Sequence, residues 1–401
     1  MASTSTATTT RQRLYYLDWL RVLAMVGIFF FHNARFYDAW SDWHVKNATT
    51  SLGASALIAF TAQWIMPLFF LIAGAGTYYA LKTRRVGQFV QERTLRLFVP
   101  LIFGMFVIVV PQAYFEALSE GVQLGGYNFL QIYGLYLQSL VEHGVYQEWF
   151  HLWFLWFLFL YSMVTIPLFF TRSGSEESVI SKFAKFFDRP WLLMLLLVLS
   201  IAIINILMYP AGYFGHRDQG GFNIVAYLLF FVFGYLIFAN PRIMEAIRKM
   251  RWIMLIMGIV TFSTAVGFFV DEIADPIKYF GSTTFIIAHF LQALNTWCWL
   301  LAILGLGSQF LNRDNRFLSY ANEAVLPFYI LHQTIIISIG FYVVQWDAGV
   351  ALKYLTISTT SFVAIMLIYE LLVRRINVLR FLFGMRLGRK PHTTSVVEGQ
   401  T

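Results

Sequence analysis

Residues Tyr15–Tyr37 read YYLDWLRVLAMVGIFFFHNARFY, an apolar run that nevertheless carries Asp18, Arg21 and His32. About 20 mostly apolar residues suffice for a helix to cross a bilayer. An ionisable group inside such a helix is costly unless it faces the bundle interior or a wet cavity. An α-helix turns by about 100° per residue, so Arg21 and His32 return to within roughly 20° of one face, ~16 Å apart. Asp18 lies one turn before Arg21. The three residues predict a polar track along this first span, and that track is where chemistry is expected.

The rest of the chain agrees with a membrane setting. Of 401 residues, 58% are apolar and only 12% charged, and the mean hydropathy is +0.64. A soluble domain carries about twice that share of charge. Ten mostly apolar stretches are expected to span, near 15–37, 53–81, 97–118, 150–171, 191–210, 222–240, 252–270, 283–310, 325–346 and 355–373. The predicted fold class is therefore an all-α integral membrane protein, a bundle of about ten transmembrane helices. The first stretch is too long and too charged for a cleavable signal peptide.

Placing the N-terminus inside puts 24 of the 29 Lys and Arg residues in inner segments. The positive-inside rule then predicts that both termini are cytoplasmic and that the protein sits as a multi-pass chain in the cell (inner or plasma) membrane. The net charge of +8 is topological on this reading and calls for no nucleic-acid partner. The expected organisation is a disordered segment 1–14, a membrane domain 15–373, and a basic tail 374–401 that is disordered at its end. The start of that tail is expected on the inner leaflet.

Several side chains are candidates for chemistry, each with a structural alternative. His32 suits a general base near neutral pH; the alternative is interhelical packing. Arg21 matches an anionic cofactor group; the alternative is an ion pair with Asp18. Arg93 and Arg96, one turn apart with Lys82, Arg84 and Arg85 nearby, suit a phosphorylated donor, although topology alone would place arginines there. His151, Trp153 and Glu148 open the fourth span, where an aromatic belt or a sugar site would look alike. Tyr329 and His332 share a face at i, i+3. His332 is expected about 10 Å from the inner end, counting from Val325, with Asn322 or Glu323 as the helix cap. Glu370 and Arg374 read as a surface ion pair. The eight histidines lack metal-ligand spacing, so no metal is expected. The sole cysteine, Cys298, reads as packing.

Taken together, Leu17-Asp-Trp-Leu-Arg21 with His32, Pro67 to Gly74, Arg93-Thr-Leu-Arg96, His151-Leu-Trp-Phe-Leu155 and Phe328-Tyr-Ile-Leu-His332 resemble the acyltransferase 3 family of ten-helix membrane O-acyltransferases. Trp43-His-Val-Lys-Asn47, Val110-Pro-Gln112 and Phe381-Leu-Phe-Gly384 look most like the branch that succinylates periplasmic glucans. The resemblance implies an enzyme that moves an acyl group, acetyl or succinyl, from acyl-CoA to an extracytoplasmic glycan hydroxyl. Arg93, Arg96 and Arg21 would hold the donor and His32 would be the base. Membrane lipid, acyl-CoA and a glycan acceptor are the implied partners, and a homo-oligomer is compatible with it. The rival expectation is a proton-coupled transporter using Arg21, His32 and His332 as a relay.

Overall fold

The computed structural model describes residues 13–40, 43–142, 150–170, 190–209, 222–269 and 276–387. Among them the regular structure is helical, with no strand. In chain order the helices are α1 (Tyr15–Ala34), α2 (Leu52–Leu81), α3 (Val86–Ile108), α4 (Val110–Ser119), α5 (Phe129–Glu142), α6 (Phe150–Val164), α7 (Trp191–Met208), α8 (Ile224–Ala239), α9 (Pro241–Phe268), α10 (Thr283–Phe310), α11 (Arg316–Val343), α12 (Val350–Val373) and the short α13 (Asn377–Leu382).

Seven of these helices are long and apolar enough to cross a membrane, and eight if the bent pair α3–α4 counts as one span. The expected spans at 150–171 and 222–240 coincide with shorter apolar helices, α6 and α8. Pro167 and the turn at Thr165 end α6 early, because proline lacks the N–H that would continue the helix.

Two boundaries differ from expectation in a way that matters for the site. α9 runs straight through the basic stretch expected as a loop, starting at Pro241 behind the Asn240 cap. α11 begins at Arg316, where the Asn315 side chain accepts a hydrogen bond from the Leu318 amide at 2.7 Å. An Asn cap satisfies one of the orphan N–H groups of the first turn. Asn322 and Glu323 are thus helical residues and not the cap.

The helices pack closely where side chains are small. A Cβ on Gly74 would fall 1.9 Å from the Phe231 carbonyl oxygen, and one on Gly234 would fall 2.0 Å from the Leu71 oxygen. This reciprocal glycine contact lets the backbones of α2 and α8 touch. Asn295 donates to Gly258 O and Thr261 Oγ1, both at 2.8 Å, tying α10 to α9. Cys298 is buried within this core.

α1 and α11 lie side by side and run in the same direction. Trp19 stacks on Phe317, Phe29 meets Phe328, and the Phe36 ring fills the notch at Gly340. The beginning of the basic tail is docked on the bundle. Phe383 is buried against Phe103, and Arg380 binds Glu323 at 2.9 Å and the backbone oxygens of Arg374 and Arg386. The ion pair of Glu370 and Arg374 forms as read from the sequence, at 3.0 Å.

Candidate active site

The α1 stripe has two dissimilar ends. At the N-terminal end, Arg21 Nη1 is 3.3 Å from Asp18 Oδ1 and 3.0 Å from Asn322 Oδ1 on α11. Asp18 also receives Arg13 at 2.7 Å. Arg93, on α3, donates to Thr77 Oγ1 at 3.2 Å and lies over the Phe89 ring. Its guanidinium is close enough to feel the charges of Arg84, Arg96 and Arg21. Arg84 and Arg96 share Glu92, at 3.0 and 3.5 Å. The sequence-predicted arginines thus gather at one end of the bundle, where they form a cationic cluster only partly balanced by carboxylates. A cavity of about 510 Å³ at the start of α11 is lined by Arg316, Ser319, Tyr320, Glu323 and Arg374 among others.

Between the two ends the stripe is apolar. Ala24, Met25 and Ile28, the residues on this face between Arg21 and His32, are all buried. The predicted track is therefore two polar ends separated by a packed plug, because the helix buries its mid-section against neighbours. A continuous relay from Arg21 to His32 is not formed.

The other end is a cluster of imidazoles. His32 on α1, His151 at the start of α6 and His332 on α11 converge. The His332 ring centroid is 5.1 Å from that of His32 and 5.1 Å from that of His151. His332 was expected near the Arg21 end. It lies instead some 24 Å along α11, because the helix starts at Arg316 and not at Val325. Tyr329 packs against both His151 and His332, and its hydroxyl donates to the His151 carbonyl oxygen.

Hydrogen bonds define two of the three rings. His151 Nε2 lies 3.1 Å from Ile330 O and His332 Nδ1 bonds Tyr329 O. A carbonyl only accepts, so each of these nitrogens carries the proton. The opposite nitrogens, His151 Nδ1 and His332 Nε2, are buried lone pairs without a partner, and His32 Nδ1 is buried and unpartnered as well. Buried polar atoms in a folded protein are nearly always satisfied. Three such nitrogens on adjoining rings make this cluster the leading candidate for binding a ligand or for chemistry.

The residues that surround the three rings were given no role from the sequence. Trp43 stacks on His32 with centroids 6.0 Å apart. Its neighbour His44 pairs through Nδ1 with Glu116 at 2.8 Å and meets the amides of Gln112 and Gln333 through Nε2 at 3.2 and 3.0 Å. The 44° bend between α3 and α4 aims Gln112 and Glu116 here, and Pro111 in the first turn of α4 accounts for the break. The Trp43-His44 pair and Gln112 stood out in the sequence as marks of the resemblance. Their meeting across α4 and α11 depends on the bend, which periodicity does not reveal.

Other predicted residues go elsewhere. Trp153 packs into the core against Phe70, Phe157 and Tyr227. Near this end, Arg35 and Lys46 both engage Asp38, at 2.8 and 3.2 Å. Glu148 lies outside the described residues. Among the described residues, no group of three or more His, Cys, Asp or Glu is placed to hold a metal ion.

Comparison with known proteins places this geometry in context. A family model described as an acyltransferase domain matches residues 14–370. Proteins named Glucans biosynthesis protein C, from Salmonella agona (strain SL483) and Salmonella paratyphi A (strain ATCC 9150 / SARB42), are each 24% identical over 394 residues, covering 94% of this chain and 96% of theirs. No solved structure matches.

Proposed function

Since the chain belongs to the acyltransferase 3 family, we propose that it is a multi-pass membrane O-acyltransferase carrying an acyl group from cytoplasmic acyl-CoA to a glycan hydroxyl on the other side of the membrane. The observation that carries this reading is the convergence of three histidines with unused, buried nitrogens at the end of α1 opposite the arginines.

The basic residues imply that the Arg21 end is cytoplasmic. The donor's phosphates then meet Arg93, Arg96 and Arg21, whose guanidinium forks match phosphate oxygens. The pantetheine arm passes toward His32 by displacing the side chains of the Met25 plug. At the far end, His32 takes the proton of the acceptor hydroxyl, the alkoxide attacks the thioester carbonyl, and the thiolate of CoA leaves. It recovers the proton from His32. The separation of charged docking from chemistry delivers an acyl group across the low-dielectric layer while the phosphates stay on the entry side. His151 and Tyr329 line the acceptor's approach.

The name of the relatives supports a glucan as acceptor, and a succinyl or acetyl group as donor follows from the same resemblance. The test is release of CoA thiol from succinyl-CoA or acetyl-CoA by purified protein in the presence of a glucan oligosaccharide. His32→Ala is expected to abolish release beyond the uncatalysed rate while the protein still folds as a monodisperse species. Full activity in that variant would remove His32 as base.

A further inference from the structure

A general-base imidazole works best when its second nitrogen is held, so that one tautomer presents its lone pair to the substrate. In His–carboxylate pairs an acidic side chain does the holding. Among the described residues His32 has no such carboxylate, since Asp38 is committed to Arg35 and Lys46 and Glu116 to His44. Its Nδ1 is nevertheless fully buried, where an unmet N–H or lone pair is costly.

The two neighbouring rings resolve this. His332 is locked as the Nδ1–H tautomer by the Tyr329 carbonyl, so its buried Nε2 is an acceptor. His151 is locked as the Nε2–H tautomer by Ile330 O, so its buried Nδ1 is also an acceptor. Two acceptors cannot bond to one another. Of the three rings, only His32 is free to supply a proton. The 5.1 Å between the His32 and His332 centroids makes the rings direct neighbours, so rings turned nitrogen to nitrogen would place His32 Nδ1 at hydrogen-bond distance from His332 Nε2.

We infer that His332 is a positioning residue for the transfer step: its Nε2 accepts the Nδ1–H of His32 and leaves the His32 Nε2 lone pair facing the acceptor hydroxyl. The chain of control runs from the α11 backbone, through Tyr329 O and His332, to His32. When the hydroxyl proton moves to His32 Nε2, the resulting imidazolium keeps its Nδ1–H bond to His332, which lowers the cost of the charge at that point. The proton then leaves with the CoA thiol, and His332 has neither gained nor lost one. This role rests on the acyl-transfer reading given above. The remaining lone pair, His151 Nδ1, is left to accept a hydrogen bond from a second hydroxyl of the glycan acceptor.

Two measurements on the full-length protein test this. In steady-state assays with succinyl-CoA or acetyl-CoA and a glucan oligosaccharide, His332→Leu is expected to lower kcat about 100-fold with the donor KM changed by less than about twofold. His332→Gln returns an acceptor oxygen near the position of Nε2 and is expected to recover kcat to within about tenfold of the parent. Solid-state NMR of protein with nitrogen-labelled histidine is expected to show His32 as a single Nδ1–H tautomer in the parent and as a mixture in His332→Leu. Wild-type kcat in His332→Leu would overturn the inference, as would a His32 tautomer mixture in the parent protein. A His332→Gln variant as slow as His332→Leu would also overturn it, because His332 would then be handling the proton itself. If the parent protein releases no CoA thiol from either donor in the presence of the oligosaccharide, the acyl-transfer reading fails instead, so the two failures are distinct.

Discussion

The two ends of α1 answer the same problem, polar groups inside an apolar layer, in opposite ways. At the Arg21 end most charges are met by the chain itself: Arg21 by Asp18 and Asn322, Asp18 by Arg13, and Arg96 by Glu92, while Arg93 hydrogen-bonds the Thr77 hydroxyl. At the His32 end three imidazoles from three helices are brought together and each is left with a nitrogen unused. An ion pair stabilises only if its partners offset the cost of leaving water, and the Arg21 end fits a docking surface that must also hold together when empty. Unsatisfied capacity, by contrast, costs stability and persists where a reaction uses it. The pattern of partners separates the two ends more clearly than the residue types do.

The contrast breaks most visibly in a kinetic split. His32→Ala is expected to reduce turnover by about a thousandfold or more, an effect on kcat. Arg93→Gln and Arg96→Gln are expected to raise the donor KM by about tenfold each with kcat little changed, since they contribute binding that persists through the reaction. If the arginine variants lost kcat instead, docking and chemistry would not be segregated. His44→Ala sharpens the description of the His32 end. It removes the link among Glu116, Gln112 and Gln333 and is expected to raise the acceptor KM about fivefold, read by varying glucan oligosaccharide at fixed donor.

A further variant tests the scaffold beneath both ends. Gly234→Ala places a methyl group against the Leu71 carbonyl and is expected to cost roughly 1–3 kcal/mol by forcing α2 and α8 apart. A denaturation midpoint in mild detergent would report it. The smallest effect is expected for Asp18→Asn, which removes one of two partners of Arg21 and should shift donor KM about twofold or less.

Much of this was legible in the sequence, for reasons that differ by residue. The Arg21–His32 stripe follows from helical periodicity alone, and the α1 geometry keeps both on the inward face. The gathering of Arg93 and Arg96 near Arg21 followed from charge placement. What failed was depth and continuity. His332 was placed at the wrong end because α11 extends back to Asn315, and a cap ahead of polar residues is easily missed when only apolar runs are counted. The plug of Ala24, Met25 and Ile28 is ordinary apolar sequence, so whether it lines a channel or fills a core depends on neighbours. Trp153 was read as part of a sugar site or an aromatic belt but meets Phe70 and Tyr227, a contact fixed by the close crossing of α2 and α8. The role of Gln112 and Glu116 depends on the bend at Pro111, and proline marks a break without giving its direction.

The central claim is that donor docking and acyl transfer occupy opposite ends of α1. A cryo-electron microscopy structure of the protein with a non-hydrolysable thioether analogue of succinyl-CoA tests it most directly. The account predicts the phosphates against Arg93, Arg96 and Arg21, with Met25 displaced and the acyl carbonyl within about 3.5 Å of the His32 ring. An analogue bound with its acyl end among the arginines, and the imidazole cluster still sealed, would contradict it.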